Sequence, residues 1–374
     1  MSWLRAVSAG LIVTCAAAMP AAAQVNNPPP PDCGELDAVR GGPPAGPAGL
    51  IAGCAGQIIN RQSLINTSTT IQDVVAGRLG PQPSSVDPAG LDLSPEDALK
   101  RLASYGPISI VPAADVTEAA QSPKWNIWVD GKVSFLDNDD PLSDLDGELW
   151  NLLAGIDYKL TDNLVFGVLG SYEASDLDGS GAVPPSQDTE GFGGGVYMGL
   201  NVTQNIVFSA NVLGSTIDTD IESAGTTRFE SERVQASASL TGYWYSGTLR
   251  FSPMVSIDWS KEWQEDKAGV LADQTIETAI LTPGLQIGNT FALSDTSTLE
   301  PWLGAMLDWT FVNETRDDIL GKIVDDTSVD LRLQAGLNFA LGSAAQLALT
   351  GEVSGLLLDD QDTYTGSANL AFQF

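Results

Sequence analysis

From Lys124 to Phe374 the side chains alternate between apolar and polar, segment after segment, with a period of two. That is the period of a β-strand, whose successive side chains point to opposite faces. The longest run is Val329, Leu331, Leu333, Ala335, Leu337, Phe339 and Leu341, interleaved with Asp330, Arg332, Gln334, Gly336, Asn338 and Ala340. Val234 to Trp244, Leu249 to Trp259 and Tyr364 to Phe374 repeat it. Tight turns at Thr161 to Asn163, Thr203 to Asn205, Ser246-Gly247, Ser294 to Ser297 and Gly342 to Ala345 alternate with longer acidic connections at 137–146, 176–190, 218–232, 262–273, 313–326 and 359–362. Connections in this order join about twelve antiparallel strands.

The polar face decides what surrounds such a sheet. In a water-soluble sandwich the solvent face collects Lys and Glu. Here it carries mostly Ser, Thr, Asn, Gln and Gly, which suits a crowded wet lumen, with the apolar face turned to lipid. The segments are close to or above the ~10 residues that a tilted strand needs to cross a bilayer. Closure of the sheet satisfies every backbone donor, as lipid requires. Trp125, Trp128, Trp150, Tyr158, Trp244, Trp259, Trp302 and Trp309 fall mostly near strand ends and are expected to form interfacial aromatic girdles. The fold class expected over 124–374 is therefore all-β, a twelve-stranded antiparallel transmembrane β-barrel.

Charge removes several functions. The 374 residues hold 48 acids, 17 bases and no histidine, a formal net charge of −31. So few bases cannot neutralise a nucleic-acid backbone, which excludes DNA and RNA as partners. Without imidazole, histidine-based triads and His-ligated metal centres are excluded as well. No catalytic residue, cofactor or metal centre is expected. The acids of the long connections, such as Asp137, Asp139, Asp140, Asp144, Asp146, Asp176 and Asp178, are expected to form a solvated rim that divalent ions bridge to anionic lipopolysaccharide.

The first 123 residues read differently. Arg5, the apolar stretch Ala6 to Met19 and Ala21-Ala22-Ala23 form a secretory signal peptide over 1–23, with cleavage between Ala23 and Gln24. Cys33 and Cys54 then remain, and in an oxidising compartment a disulfide is the default for an isolated pair. Residues 24–93 are read as a Pro/Gly-rich linker followed by a short helical segment. In that segment Ile58, Ile59, Leu64, Ile65, Ile71, Val74, Val75 and Leu79 recur at helical spacing and Gly80-Pro81 ends the run. Residues 94–123 are the candidate plug or linker helix, because Ser94-Pro95-Glu96-Asp97 looks like an N-cap with proline at the first helical position.

The stretch from about Trp125 to Phe374 resembles the translocator domain of classical autotransporters, in length, strand number, alternation of turns and loops, and the final Leu370-Ala371-Phe372-Gln373-Phe374. The resemblance implies an outer-membrane barrel of a Gram-negative bacterium whose pore is threaded by an N-terminal helix. It also implies that the barrel-assembly machinery reads the terminal strand at Leu370, Phe372 and above all Phe374. Two departures stand out. The segment available for display is far shorter than the usual passenger, and Asn26-Asn27 lies too far upstream to match the self-cleavage site of some members. Two functions stay open at this point: a non-catalytic anchor that displays its N-terminal segment, or a passive channel whose N-terminal segment is periplasmic or plugs the pore. The partners expected are outer-membrane lipid, lipopolysaccharide and the assembly machinery; nothing in the sequence sets an oligomeric state.

Overall fold

The computed structural model describes residues 47–80 and, with short breaks at loop tips (139–144, 180–185, 223–224, 266–273, 295, 318–320, 326, 343 and 359–360), residues 123–374. Among the described residues one helix, α1 (Pro47–Leu79), is followed by β1 (Trp125–Asn138), β2 (Leu145–Thr161), β3 (Leu164–Gly179), β4 (Ser186–Thr203), β5 (Ile206–Glu222), β6 (Thr226–Gly242), β7 (Trp244–Ser246), β8 (Leu249–Gln264), β9 (Gln274–Asn289), β10 (Phe291–Ala292), β11 (Ser297–Asp317), β12 (Gly321–Asp325), β13 (Ser328–Leu341), β14 (Ala345–Ser354) and β15 (Gln361–Gln373). Two of these are short extensions: β7 continues the line of β6 beyond Tyr243, and β10 that of β9 beyond Thr290. β12 pairs only with the loop-side end of β11. The other twelve form the wall. β1 pairs with β15 from Asn126↔Gln373 to Asn138↔Gln361, so the sheet closes and leaves no edge in the wall.

Turns and loops segregate to opposite rims. The tight-turn rim carries both ends of the barrel chain: Lys159 N donates to Lys124 O at 2.8 Å, and Gln373 N to Ala344 O at 2.8 Å. Gly247 and Gly342 sit at φ +61° and +70° in these turns, a conformation that glycine adopts without Cβ strain.

Polarity along β2–β6 changes with height. Near the turn rim and at mid-height the outward face is apolar: Leu160, Ile156, Leu152 and Trp150 on β2, or Val202, Val196 and Phe192 on β4, are all exposed. Phe192 and Val202 are ten residues apart on one strand. At ~3.3 Å per residue and a tilt of ~40° that is a band about 25 Å tall, the height of a lipid-facing belt. Towards the loop rim the outward positions become Glu148, Asp176, Asp188, Glu190, Asp218, Asp220 and Glu230, while the inward positions become Leu145, Leu149, Leu177, Ile217, Ile221 and Phe229, all buried. The strands thus outgrow the belt and end as a sheet with a dry inside and an acid-coated outside.

Six of the eight expected girdle aromatics, Trp125, Trp150, Tyr158, Trp244, Trp259 and Trp309, stand at exposed or half-exposed positions; Trp125 packs edge-on against Tyr158 with ring centroids 4.8 Å apart. Trp128 and Trp302 do not. They are 1 % and 6 % exposed and point into the lumen. Parity is the reason: Trp128 lies an odd number of residues from Trp125, and Trp302 from Trp309, so each must face opposite to the other member of its pair. Each inward ring covers a glycine of the neighbouring strand. A Cβ on Gly155 would lie 2.5 Å from the Trp128 ring, and one on Gly336 2.5 Å from that of Trp302.

Candidate functional site: the helix-filled lumen

The lumen contains α1. At 33 residues it is longer than a bilayer crossing needs, yet it is too polar to cross lipid. The expected plug at 94–123 lies, apart from Pro123, outside the described residues, as do the signal cleavage pair Ala23–Gln24, Cys33 and most of the linker. The described helix in the pore is the one heralded by the apolar spacing from Ile58 to Leu79. It begins eleven residues earlier than that spacing, with Pro47 as its first residue, a position where the missing N–H costs nothing. It ends where Gly80 N donates to Ala76 O at 2.8 Å. Cys54 lies in its first third.

An apolar strip of the helix, Ile71, Val74, Val75 and Leu79, packs on Trp128, Leu153, Val165, Leu169, Tyr197, Val207 and Leu213 of the wall. Nearer the loop rim Ala55, Ile58 and Ile59 join Leu136, Leu145, Leu149 and Leu177. Polar side chains fill the rest of the contact. Asn66 Nδ2 donates to Asn151 Oδ1 at 2.7 Å, Thr70 Oγ1 to Asp130 Oδ1 at 2.7 Å, and Ser68 Oγ to Asp258 Oδ1 at 2.5 Å. Groups buried in this way must be paired, so the contacts specify one seating of the helix.

Two arginines of α1, one near its middle and one at its C-terminal end, are each bound to a fully buried wall aspartate. Arg78 Nε donates to Asp157 Oδ1 at 2.9 Å, and its guanidinium reaches Gln373 Oε1 at 3.2 Å and Lys124 O at 3.1 Å. Asp157 is held in turn by Tyr197 Oη at 2.8 Å and Asn126 Nδ2 at 2.7 Å, and Trp128 Nε1 donates to Tyr197 Oη at 2.6 Å. The inward Trp128 is therefore part of a latch beneath the helix C-terminus. Midway along the helix Arg61 pairs with Asp330 at 3.4 Å, and Asp330 also accepts from Gly355 N at 2.8 Å in the turn after β14. Asp157 lies near the tight turns and Asp330 at the start of β13 beside the long loops, so α1 runs from the loop rim down to the turn rim.

The wall has its own buried ion pairs. Arg233 bridges Glu173 and Glu262 at 2.9 Å each, Arg332 bridges Asp308 at 2.8 Å and Glu352 at 3.1 Å, and Arg250 pairs with Glu300 at 2.9 Å. Planar guanidinium forks suit such multidentate bridging between strands. These residues were visible in the sequence only as charges on the polar side of their strands.

A closed twelve-stranded barrel, apolar outside, polar inside and threaded by a helix, is a barrel of the outer-membrane translocator type. The family model for the autotransporter β-domain matches residues 127–353, and the chain belongs to that family. Solved structures agree in fold. The β-domain of the Bordetella autotransporter BrkA matches with 16 % identity over 67 % of this chain and 100 % of that one, at a TM-score of 0.54. The translocator domain of NalP from Neisseria meningitidis matches with 12 % identity over 67 % and 89 %, at 0.54. The transport unit of AIDA-I from Escherichia coli matches with 11 % identity over 70 % and 93 %, at 0.56. No curated protein matches the chain in sequence.

Proposed function

We propose that this chain is a non-catalytic anchor of the Gram-negative outer membrane that displays the residues preceding α1 at the cell surface. The observation that carries the reading is the direction of α1. Its C-terminal Arg78 is tied to Asp157, Gln373 and Lys124 at the turn rim, and its N-terminal half packs at the loop rim. In outer-membrane barrels the short turns face the periplasm and the long loops the exterior. Residues before Pro47 accordingly leave the pore on the outside, and α1 is the stalk that fills the pore behind them. Outer-membrane lipid and lipopolysaccharide are the partners that the apolar belt and the acid-coated rim suit. The barrel-assembly machinery is the partner for the terminal strand at Leu370, Phe372 and Phe374.

A tag placed after Gln24 tests this. Intact cells are treated with a protease that does not cross the outer membrane. Loss of the tag with the barrel retained is expected. Survival of the tag until the cells are broken open overturns display and favours a channel with a periplasmic N-terminal segment.

A further inference from the structure

The wall does not rise to one height. β2–β6 have 16 to 18 residues each and carry their acid coat above the apolar belt. β14 has ten. At ~3.3 Å per residue and a tilt of ~40° it climbs about 25 Å, the height of the belt and no more. Its neighbours mark the same level. Val353, Tyr364 and Phe135 share one register row across β14, β15 and β1, and the next outward positions on β15 and β1 are Asp362 and Asp137. The turn after β14 therefore sits at the upper boundary of the belt, where acyl chains give way to headgroups. It carries Leu356, Leu357 and Leu358, and the first two are 42 % and 56 % exposed.

The backbone of this turn is suited to that depth. Gly355 N donates to Asp330 Oδ2 at 2.8 Å, Leu357 N to Asp330 Oδ1 at 3.4 Å, and Leu358 N to Gly355 O at 2.9 Å. Asp330 is itself fully buried and also holds Arg61 of α1. Three donors of the turn are thus paired within the protein, as a segment at the edge of hydrocarbon requires; a turn in water has no such need. We propose that the turn after β14 is a lipid anchor: Leu356 and Leu357 enter the leaflet on the loop side at the boundary of headgroups and acyl chains, and extend the apolar belt past the end of the wall. Side chains seated there leave water without taking an unpaired polar group with them. Tyr364 and Phe135, both about half exposed, lead the apolar surface of the belt up to the turn, so the acyl region that faces the belt is the partner the leucines meet. The inference rests on the barrel spanning a membrane, and not on which side the chain before Pro47 emerges.

The test uses the full chain with Cys15, Cys33 and Cys54 replaced by serine, refolded into phosphatidylcholine vesicles. Single cysteines are introduced as Leu357→Cys, Val196→Cys inside the belt and Asp188→Cys above it, and each is labelled with bimane. Quenching is measured with lipids that carry a nitroxide high on the acyl chain or near its end, and with aqueous iodide. The label at Leu357→Cys is expected to lose most of its emission to the shallow nitroxide and little to iodide. Val196→Cys is expected to respond to the deep nitroxide, and Asp188→Cys to iodide alone. Leu356→Cys gives the same readout if Leu357→Cys fails to fold, and heat-modifiable migration confirms the folded state of each. Iodide quenching at Leu357→Cys without lipid quenching, while Val196→Cys responds to lipid, would overturn the anchor and leave the barrel in its membrane. Protection from both quenchers would assign the turn to a contact between copies and equally overturns it. Loss of lipid quenching at Val196→Cys as well would overturn the membrane-spanning barrel itself.

Discussion

Trp125 and Phe374, at opposite ends of the barrel sequence, exchange both backbone hydrogen bonds: Trp125 N donates to Phe374 O and Phe374 N to Trp125 O, each at 3.0 Å. The last residue thus completes the seam, and its ring points outward with 63 % of its surface exposed. Deleting Phe374 removes the last seam pair together with the ring, whereas Phe374→Ser keeps the backbone. Both are expected to lower the amount of heat-modifiable barrel in the outer membrane, the deletion more. Wild-type levels of Phe374→Ser would show that only the seam matters.

Arg78 and Asp157 are the most enclosed ion pair between helix and wall, with 3 % and 0 % side-chain exposure. Arg78→Ala strands the Asp157 charge and is expected to cost about 3–5 kcal/mol, the usual penalty for breaking one side of a buried pair. It should also loosen the helix C-terminus and so raise single-channel conductance in planar bilayers. Conductance equal to that of the wild type would mean that the apolar strip alone seats the helix.

The belt boundary on β4 lies between Glu190 and Phe192. Val196→Lys, inside the belt, is expected to cost about 2–4 kcal/mol in equilibrium unfolding from lipid vesicles. Glu190→Lys, above it, should change stability little. Equal costs would misplace the membrane.

Asp176 lies directly opposite Glu148 and Asp188 on neighbouring strands, above the belt. Partial burial, then the charges of Asp188, Asp178 and Glu148, hold its carboxyl above the usual aspartate value. The native state therefore keeps a proton that the unfolded chain has already released, and stability falls as pH rises through that interval. Asp176→Asn should raise the thermal midpoint at pH 7, and the gain should vanish at pH 3. A gain of the same size at both pH values would rule out a charge effect.

A bond between Cys33 and Cys54 would close a small loop within one chain, tied to the first third of α1 at Cys54. Reducing agent is expected to change electrophoretic mobility slightly and within one chain. A disulfide-linked dimer would assign these cysteines to a contact between copies.

Much of the barrel was legible because strand signals are local. Val329 to Leu341 announces its faces without reference to any other segment, and Gly247 and Gly342 mark turns by their own conformation. Trp128 and Trp302 were misassigned to the girdle, although parity with Trp125 and Trp309 turns both inward. Tryptophan near a strand end suggests an interface, but the face is set by position along the strand. The lumen contacts were not legible, since Arg78 and Asp157 become partners only when the helix lies in the closed barrel.

The sequence by itself determined an inside-out β-sheet of twelve wall strands, with its turns, its acidic loops and a helix ending at Gly80, because each rests on spacing among near neighbours. Tertiary structure alone decided that the helix Pro47–Leu79 fills the pore, that it runs from the loop rim to the turn rim, and which carboxylates receive its arginines. Those outcomes rest on groups 79 and 269 residues apart in the chain, Arg78 with Asp157 and Arg61 with Asp330, which no local pattern relates. Burial joins them, because a charge enclosed within the wall is stable only beside its counter-charge.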